Sequence, residues 1–315
     1  MEKAALSGAA FFLKSGIPFI GRKSTIPRMN RRTFIGSSAA ATLAASKFSW
    51  AAEGGRKLDR IGIQLYTVRD MMKNDFEGTI AKVAGIGYQE VEFAGYFDHD
   101  PKTVRGILDR NKLTSPSEHV SYEVVENKWP ETLDAAHVVG HKFIVCPSID
   151  DSQRKLTSGW KKAAEVFNKA GEASQKAGIQ FAYHNHYWEF EPLSDSGGKL
   201  PYDILLAETD AKLVKMEMDL CWITIAGQDP LTYFNKYPGR FPMVHVKDWV
   251  KGPDGKMGPK DGHMADVGSG AIDWKRLFAD SKKAGIQHYF VENDEPKAPL
   301  EDLKSSYDYL RGLRF

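Results

Sequence analysis

Ionisable side chains are concentrated in one short stretch of the chain. Residues 183–191 read YHNHYWEFE, which places His184, Asn185, His186, Glu189 and Glu191 within nine positions. The stretch follows GIQFAY, an apolar run typical of a buried β-strand. Imidazole and carboxylate groups bind divalent metals and move protons, so the end of this strand is a candidate for both kinds of chemistry.

Three later apolar runs end on side chains that can bind a metal: Glu217 and Asp219; His245, Lys247 and Asp248; Glu292 and Asp294. A lone acid at a strand end is usually a helix cap or an ion-pair partner. Four successive strand ends of this kind favour a shared metal site instead. Three carboxylates and one imidazole form an oxygen-rich set that suits Mn²⁺ best, with Mg²⁺, Co²⁺ or Zn²⁺ as alternatives, whereas a purely structural zinc uses thiolates or more imidazoles.

Such a metal would leave coordination positions for the oxygens of a hydroxy-ketone. A divalent ion polarises the carbonyl, acidifies the neighbouring C–H bond and stabilises the enediolate that forms. A carboxylate or imidazole nearby then transfers the proton. We therefore expect proton transfer next to a sugar carbonyl.

These side chains must be positioned by a regular arrangement of strands. Strand-like runs alternate with segments of helical periodicity, and the runs occupy 60–66, 90–95, 113–121, 142–149, 179–186, 213–220, 241–248 and 288–294. Eight β/α units in about 250 residues predict an α/β fold, a single (β/α)₈ TIM barrel over 59–313, with its chemistry at the C-terminal ends of the strands. An open doubly wound sheet is the structural alternative, but LYTVRD after the first strand lacks its G-x-G-x-x-G turn. The Gly-rich, charged segment 251–270 is predicted to form a loop over the barrel mouth.

The N-terminus has the features of an export signal. NRRTFIG at 30–36 pairs two arginines, SSAAATLAA supplies a weakly apolar run, and cleavage after Ala51 fits the small residues there. This pattern predicts a twin-arginine signal over 1–51, export to the periplasm, and a true start that could be Met29. We expect no membrane span in the mature protein.

The charge balance bears on nucleic-acid binding, and the sequence context of the two cysteines bears on whether they form a disulfide. Residues 1–51 hold eight of the 43 Lys and Arg and one of the 41 Asp and Glu, which leaves 35 basic against 40 acidic residues, a net of −5. That balance argues against nucleic-acid binding. Cys146 and Cys221 lie in apolar, strand-like contexts and are expected to be free core cysteines, with a disulfide as the alternative.

The strand endings YHNHYWEF, MEMDLCW, VHVKD and FVEND, with VGSGAIDW after strand seven, resemble the sugar phosphate isomerase/epimerase family. The resemblance covers essentially all of 59–313 and implies a xylose-isomerase-like barrel. It implies metal ligation by Asp219, His245 and Glu292, with Glu292 also exchanging the substrate proton. Epimerases of this family carry their first glutamate ligand inside strand five, whereas this chain has His184 and His186 there, so the first ligand and second proton-transfer residue is assigned to Glu189.

His184 and His186 become candidates for acid/base catalysis. Substrate contacts are expected from strand-end residues that suit a sugar: Gln64, Glu92, His119, Trp222 and Lys247. No cluster of arginines or helix-start glycines indicates a phosphate pocket, so the small-molecule substrate is expected to be an unphosphorylated sugar, keto-sugar or glycoside.

Three functions remain open. The leading expectation is a metal-dependent isomerase or epimerase. Its alternatives are a lyase or dehydratase acting on inosose-like or 3-keto-glycoside substrates, which the Tyr-His-x-His strand end resembles better, and a non-catalytic periplasmic sugar-binding barrel. The sequence leaves the oligomeric state open, a homo-oligomer included.

Overall fold

Ten β-strands are present in residues 55–315, the part of the chain that the computed structural model describes. They are β1 (Gly62–Gln64), β2 (Glu90–Phe93), β3 (Thr114–His119), β4 (Phe143–Cys146), β5 (Gln180–His184), β6 (Val214–Asp219), β7 (Met243–Val246), β8 (Asp248–Val250), β9 (His263–Ala265) and β10 (His288–Val291). Eight of them close into a parallel barrel in the order β1-β10-β7-β6-β5-β4-β3-β2. The predicted TIM barrel is therefore confirmed, and the predicted leader at 1–51 lies outside the described residues.

The helices of these residues surround the barrel. They are α1 (Arg69–Asn74), α2 (Phe76–Ile86), α3 (Pro101–Arg110), α4 (Tyr122–Asn127), α5 (Trp129–Val139), α6 (Thr157–Lys176), α7 (Pro201–Glu208), α8 (Leu220–Ile225), α9 (Pro230–Lys236), α10 (Trp274–Ala279), α11 (Ser281–Ala284) and α12 (Pro299–Gly312). The helical segment between β9 and β10 is divided in two, because α10 ends at Ala279 and α11 begins at Ser281. No helix among the described residues is long and apolar enough to cross a membrane.

Two apolar cores lie on the two sides of the strands. The larger core packs the barrel against the helices, as where Phe167 of α6 packs on Phe181 and Tyr183 at ring distances of 5.2 and 5.3 Å. The smaller core fills the barrel interior and consists of Phe143, Val145, Ala182, Met243 and Phe290. At Gly62 a Cβ atom would lie 2.6 Å from the Phe290 ring, so only glycine leaves room for that ring.

The interior core determines where the polar side chains lie. Side chains alternate along a strand, so residues two positions further along face the same side. His245 therefore follows Met243, Glu292 follows Phe290 and His184 follows Ala182 on the inward face, at the C-terminal ends of the strands. This layer forms the floor of the barrel mouth.

The segment after β7 is more ordered than the predicted loop. β8 and β9 pair antiparallel, with Trp249 opposite Met264. Cys146 and Cys221 are both buried and free, as expected. The prediction of a loop over 251–270 is therefore wrong for His263–Ala265, which forms β9.

Candidate active site and metal centre

Three neighbouring strands bring Asp219, His245 and Glu292 together at the barrel mouth. One ligand atom from each lies within 4.8 Å of the others, and all three side chains are buried. Strand register accounts for part of this, because Asp219 on β6 pairs with His245 on β7. The Nδ1 atom of His245 is 2.6 Å from Oε2 of Glu292. These are three of the four predicted ligands, and they are the three that the resemblance implied.

The two oxygens of Asp219 have different surroundings. Oδ1 accepts hydrogen bonds from the backbone N–H groups of Cys221 and Trp222, both at 2.9 Å, and so caps α8. Oδ2 is buried and accepts no hydrogen bond from any described residue. Instead it lies 3.0 Å from Nζ of Lys247 and 3.9 Å from Nε2 of His184. One oxygen is thus available to a ligand.

Lys247 places a cation among the same carboxylates. Its Nζ atom is 2.7 Å from Glu292, 3.0 Å from Asp219 and 2.9 Å from Asp294. Burial opposes the charge, but these carboxylates hold the pKa of Lys247 well above its usual value. Burial likewise opposes the charge on Glu292, yet Lys247 and His245 hold the pKa of that carboxyl well below its usual value. This part of the mouth stabilises positive charge.

A second group lies beside the first and contains His119, His184, Glu217 and His245. Oε2 of Glu217 is 2.7 Å from His119, 3.1 Å from His184 and 3.2 Å from His245. Burial opposes ionisation of Glu217, but His245 and His119 lower its pKa. Burial also disfavours the charge on His119, and the carboxylates of Glu92 and Glu217 overcome it and raise the pKa of His119 to about 9.

The chemistry of these donors fits a divalent cation. Nδ1 of His184 faces Glu217 while its Nε2 faces Asp219, an arrangement in which an outer carboxylate orients a metal-binding imidazole. The residues that would hold the ion are His184, Asp219, His245 and Glu292. This set has one imidazole more than the predicted set, which brings zinc alongside manganese as a suitable metal.

Glu189, the predicted first ligand, lies in neither group. It follows β5 in the short 3₁₀-helix Trp188–Phe190, where Oε1 accepts from the hydroxyl of Tyr183 at 2.6 Å and Oε2 from the backbone N–H of His186 at 2.8 Å. Tyr183 packs against the helix layer, so it holds Glu189 on the outer side of β5. The structure therefore replaces Glu189 with His184 in the candidate ligand set.

His186 faces the mouth. Its ring stacks on Trp188 at 4.1 Å, and its Nδ1 atom is buried without a hydrogen-bond partner in residues 55–315. Burial, followed by the charge of Lys247, lowers the pKa of His186 well below its usual value. A neutral imidazole with a free nitrogen can act as a base. His184 is also buried beside it, with ring centroids 5.0 Å apart.

A cavity of about 620 Å³ opens above these groups. His119, Trp222 and Lys247 line it, as do Glu292 and His186, which fits their predicted roles near a substrate. Gln64 and Glu92 do not line it: they are fully buried, Gln64 donates to Glu92 at 2.9 Å, and Glu92 Oε2 lies 2.7 Å from Nε2 of His245. The prediction that they bind substrate directly is therefore replaced by a role in orienting His245.

Glu217 and Asp294 stand at strand ends in the sequence, but the predicted sets of ligands, catalytic residues and substrate contacts contain neither. Strand alternation could have found Glu217, because it lies two residues before Asp219 on the same face of β6. Asp294 lies two residues after Glu292 and contacts Lys247.

The fold agrees with the comparisons to known proteins. Residues 80–313 match the xylose isomerase-like TIM barrel family, and the chain belongs to that family. An inosose dehydratase from Lacticaseibacillus casei is 26% identical over 270 residues, which cover 75% of this chain and 88% of that protein.

Two solved structures extend the comparison. The structure of a sugar phosphate isomerase/epimerase from Parabacteroides distasonis has a TM-score of 0.68 and 25% identity, over 84% of this chain and 96% of that one. The IolI protein, solved with a bound zinc atom, has a TM-score of 0.62 at 14% identity, over 81% of this chain and 99% of that one, and so supports the fold alone.

Proposed function

We propose that this protein is a divalent-metal-dependent enzyme that removes a proton next to the carbonyl of a sugar or cyclic polyol and eliminates water, a lyase of the dehydratase type. One observation carries the proposal. The free Nδ1 of His186 and the ammonium of Lys247 line the same cavity as Glu292, beside the candidate metal group. A base and an acid are thus present at one site.

The bound metal would polarise the carbonyl oxygen and so acidify the adjacent C–H bond. His184, Asp219, His245 and Glu292 would hold it. His186 accepts the proton from carbon, and the electrons of that C–H bond form a C=C bond. The hydroxyl on the next carbon leaves with its bonding electrons and takes a proton from Lys247, which releases water.

The surroundings of the two groups support these roles. Glu189 fixes the backbone of His186, and Trp188 stacks on its ring, so the imidazole is held in one orientation. Lys247 lies 5.4 Å from the centre of the Trp222 ring as well as beside three carboxylates. Both groups are positioned before substrate arrives, which is the condition for efficient proton transfer.

Similarity to inosose dehydratases, at 26% identity, favours elimination over the isomerase or epimerase that the sequence first suggested. Isomerisation remains the second candidate, because a relative of known structure at 25% identity is named a sugar phosphate isomerase/epimerase. Both reactions begin with removal of the same kind of proton and differ in what happens next.

The test is incubation of the untagged protein with an inosose and with keto-sugars in D₂O, with Mn²⁺ or Zn²⁺. We expect metal-dependent loss of water, detected by mass spectrometry, and its loss in His186→Gln. The control is His137→Gln, an exposed histidine on α5, which should react like the wild type. Deuterium uptake without loss of water would identify an isomerase or epimerase instead. Absence of both across the panel would leave only a sugar-binding barrel and contradict the proposal.

Export through the twin-arginine pathway is a separate proposal that rests on NRRTFIG at 30–36. Changing Arg31 and Arg32 together to lysine should retain the protein in the cytoplasm. Cell fractionation measures this, and unchanged export of the double variant would contradict it.

A further inference from the structure

The imidazole of His186 is oriented differently from the other histidines on its side of the barrel mouth. His184 and His245 each have a carboxylate oxygen close to Nδ1, at 3.1 and 2.6 Å. His186 forms no such ion pair with any described residue, and its buried Nδ1 atom has no hydrogen-bond partner among them. The orientation of this ring therefore depends on packing.

Trp188 is the side chain that packs on the imidazole of His186. The two rings stack with their centroids 4.1 Å apart and their planes 12° apart. A buried indole usually donates its N–H to an acceptor. Nε1 of Trp188 is buried, however, and has no hydrogen-bond partner within residues 55–315. The position of Trp188 therefore depends in turn on the groups that contact its ring.

Arg154, in the segment between β4 and α6, lies over the ring of Trp188. Its guanidinium carbon is 4.3 Å from the ring centroid. A guanidinium and an imidazole that both lie about 4 Å from one centroid would overlap on the same face of the indole, so Arg154 and His186 occupy opposite faces. A cation in this position is attracted by the quadrupole of the ring. The three side chains form a stack of guanidinium, indole and imidazole.

The backbone of Arg154 is itself held by two hydrogen bonds. Its oxygen accepts one at 2.9 Å from Nε1 of Trp160, a fully buried residue of α6, and its N–H donates one at 3.1 Å to the oxygen of Asp150. Its guanidinium also pairs with Asp151, and only 22% of its side chain is exposed. Arg154 is therefore fixed well enough to support Trp188, although it lies outside the helices and strands.

The charge of Arg154 also acts on Glu189, which accepts a hydrogen bond from the backbone N–H of His186. Burial raises the pKa of Glu189 to about 7, and the charge of Arg154 is among the influences that oppose this rise. Arg154 thus acts on both groups that support His186, the indole that packs on its ring and the carboxylate that binds its backbone.

From this stack we infer that Arg154 is a positioning residue of the proposed reaction and acts on the base through Trp188. Arg154 holds the indole against His186, so that the imidazole keeps one orientation towards the substrate. The role of His186 as the base rests on the proposed function, whereas the stack does not. Loss of the guanidinium should therefore reduce the rate of proton removal and leave substrate binding unchanged.

The stack has a spectroscopic signature that needs no turnover. The ring current of an indole shifts protons above its face upfield, so the carbon-bound imidazole protons of His186 should resonate upfield of those of an exposed histidine. NMR of the full protein labelled with ¹³C-histidine measures this shift, and His186→Gln assigns the resonance. We expect the upfield shift to be lost in Arg154→Gln and in Arg154→Met, which keeps an unbranched side chain, and largely retained in Arg154→Lys.

The matched control is Arg110→Gln, which removes an exposed arginine of α3 that pairs with Glu77. This variant should retain the upfield shift of His186 and the turnover of the wild type. If Arg154→Gln does not fold, Arg154→Met provides the same test.

Turnover provides the second measurement. In the dehydration assay, Arg154→Gln should lower kcat about 10-fold and leave KM within about 2-fold, because an imidazole without its support spends less time in the productive orientation. Arg154→Lys should recover most of this loss. Because Arg154 acts through Trp188, Arg154→Gln combined with Trp188→Leu should be no slower than Trp188→Leu alone.

Three results would overturn the inference. They are an unchanged His186 resonance in Arg154→Gln, a rise in KM at unchanged kcat, and a double variant whose loss equals the product of the two single losses. If no substrate reacts with the wild type, the proposed function fails, and the resonance alone decides whether Arg154 holds the stack.

Discussion

Asp219 and Asp248 follow or end neighbouring strands and are both buried, yet their carboxylates have different partners. Asp248 accepts four hydrogen bonds, from the backbone N–H groups of Trp249, Ile272 and Gly268 and from Nε1 of Trp274. Asp219 uses one oxygen to cap α8 and leaves the other without a hydrogen bond among the described residues. A carboxylate whose oxygens are all hydrogen-bonded within the protein supports the fold, whereas Oδ2 of Asp219 has only the ion pair with Lys247 and keeps lone pairs for a ligand.

The same comparison separates Glu189 from Glu292, the two glutamates that were both predicted to bind the metal and to transfer the substrate proton. Glu189 resembles Asp248, because each of its oxygens accepts a hydrogen bond from a protein group. Glu292 resembles Asp219, because it lies at the mouth against His245 and Lys247. The hydrogen bonds therefore separate Glu189 and Asp248, whose oxygens bond to protein groups, from Asp219 and Glu292, which we propose bind a ligand.

The largest expected loss of turnover comes from substituting the residues of the barrel mouth. His245→Ala and Glu292→Gln should each abolish turnover, because both remove a candidate ligand and Glu292 also faces the Lys247 ammonium. The circular dichroism spectrum should remain that of a folded barrel. Activity within 10-fold of the wild type in either variant would remove that residue from the site.

A matched pair of substitutions sharpens the comparison. Asp219→Asn should lower turnover by about 10³-fold with little change in unfolding free energy, because the cap to α8 needs only one oxygen. Asp248→Asn should instead lower the unfolding free energy by about 3 kcal/mol, since its amide cannot accept all four hydrogen bonds. Turnover and urea denaturation measure the two effects. The distinction between the two acids fails if both variants lose mainly stability.

A smaller effect concerns the pH dependence of stability. Burial raises the pKa of Glu189 to about 7, above the value of about 4.5 expected in the unfolded chain. The folded state then binds this proton more tightly than the unfolded chain does. The contribution of Glu189 to the free energy of unfolding is therefore complete below about pH 4.5 and is lost as the pH rises through about 7.

Relative to Glu189→Gln, the wild type should therefore lose up to about 3 kcal/mol of unfolding free energy between pH 4.5 and 8. Denaturant titrations of both proteins at several pH values measure the difference in unfolding free energy between the wild type and Glu189→Gln. The contributions of the other titratable groups cancel in this difference. Parallel curves would show that Glu189 stays ionised in the folded protein.

Much of the fold could be predicted from the sequence because it depends on local patterns. The alternation of apolar runs with segments of helical periodicity predicted all eight barrel strands. Asp219, His245 and Glu292 stand at the ends of these strands, and the family resemblance identified them as candidate ligands. Glu189 was misplaced because it follows the end of β5, where strand alternation no longer determines the direction of a side chain. Tyr183, whose hydroxyl holds Glu189, is on the outward face of β5, and a contact of that kind depends on the tertiary structure.

The central claim is that His184, Asp219, His245 and Glu292 hold a divalent ion and Glu189 does not. Metal analysis of protein purified without a His-tag, after loading with Mn²⁺ or Zn²⁺ and dialysis, tests it most directly. We predict a bound ion in the wild type and in Glu189→Gln, and loss of the ion in Asp219→Asn. An ion that is lost in Glu189→Gln and retained in Asp219→Asn would contradict this account.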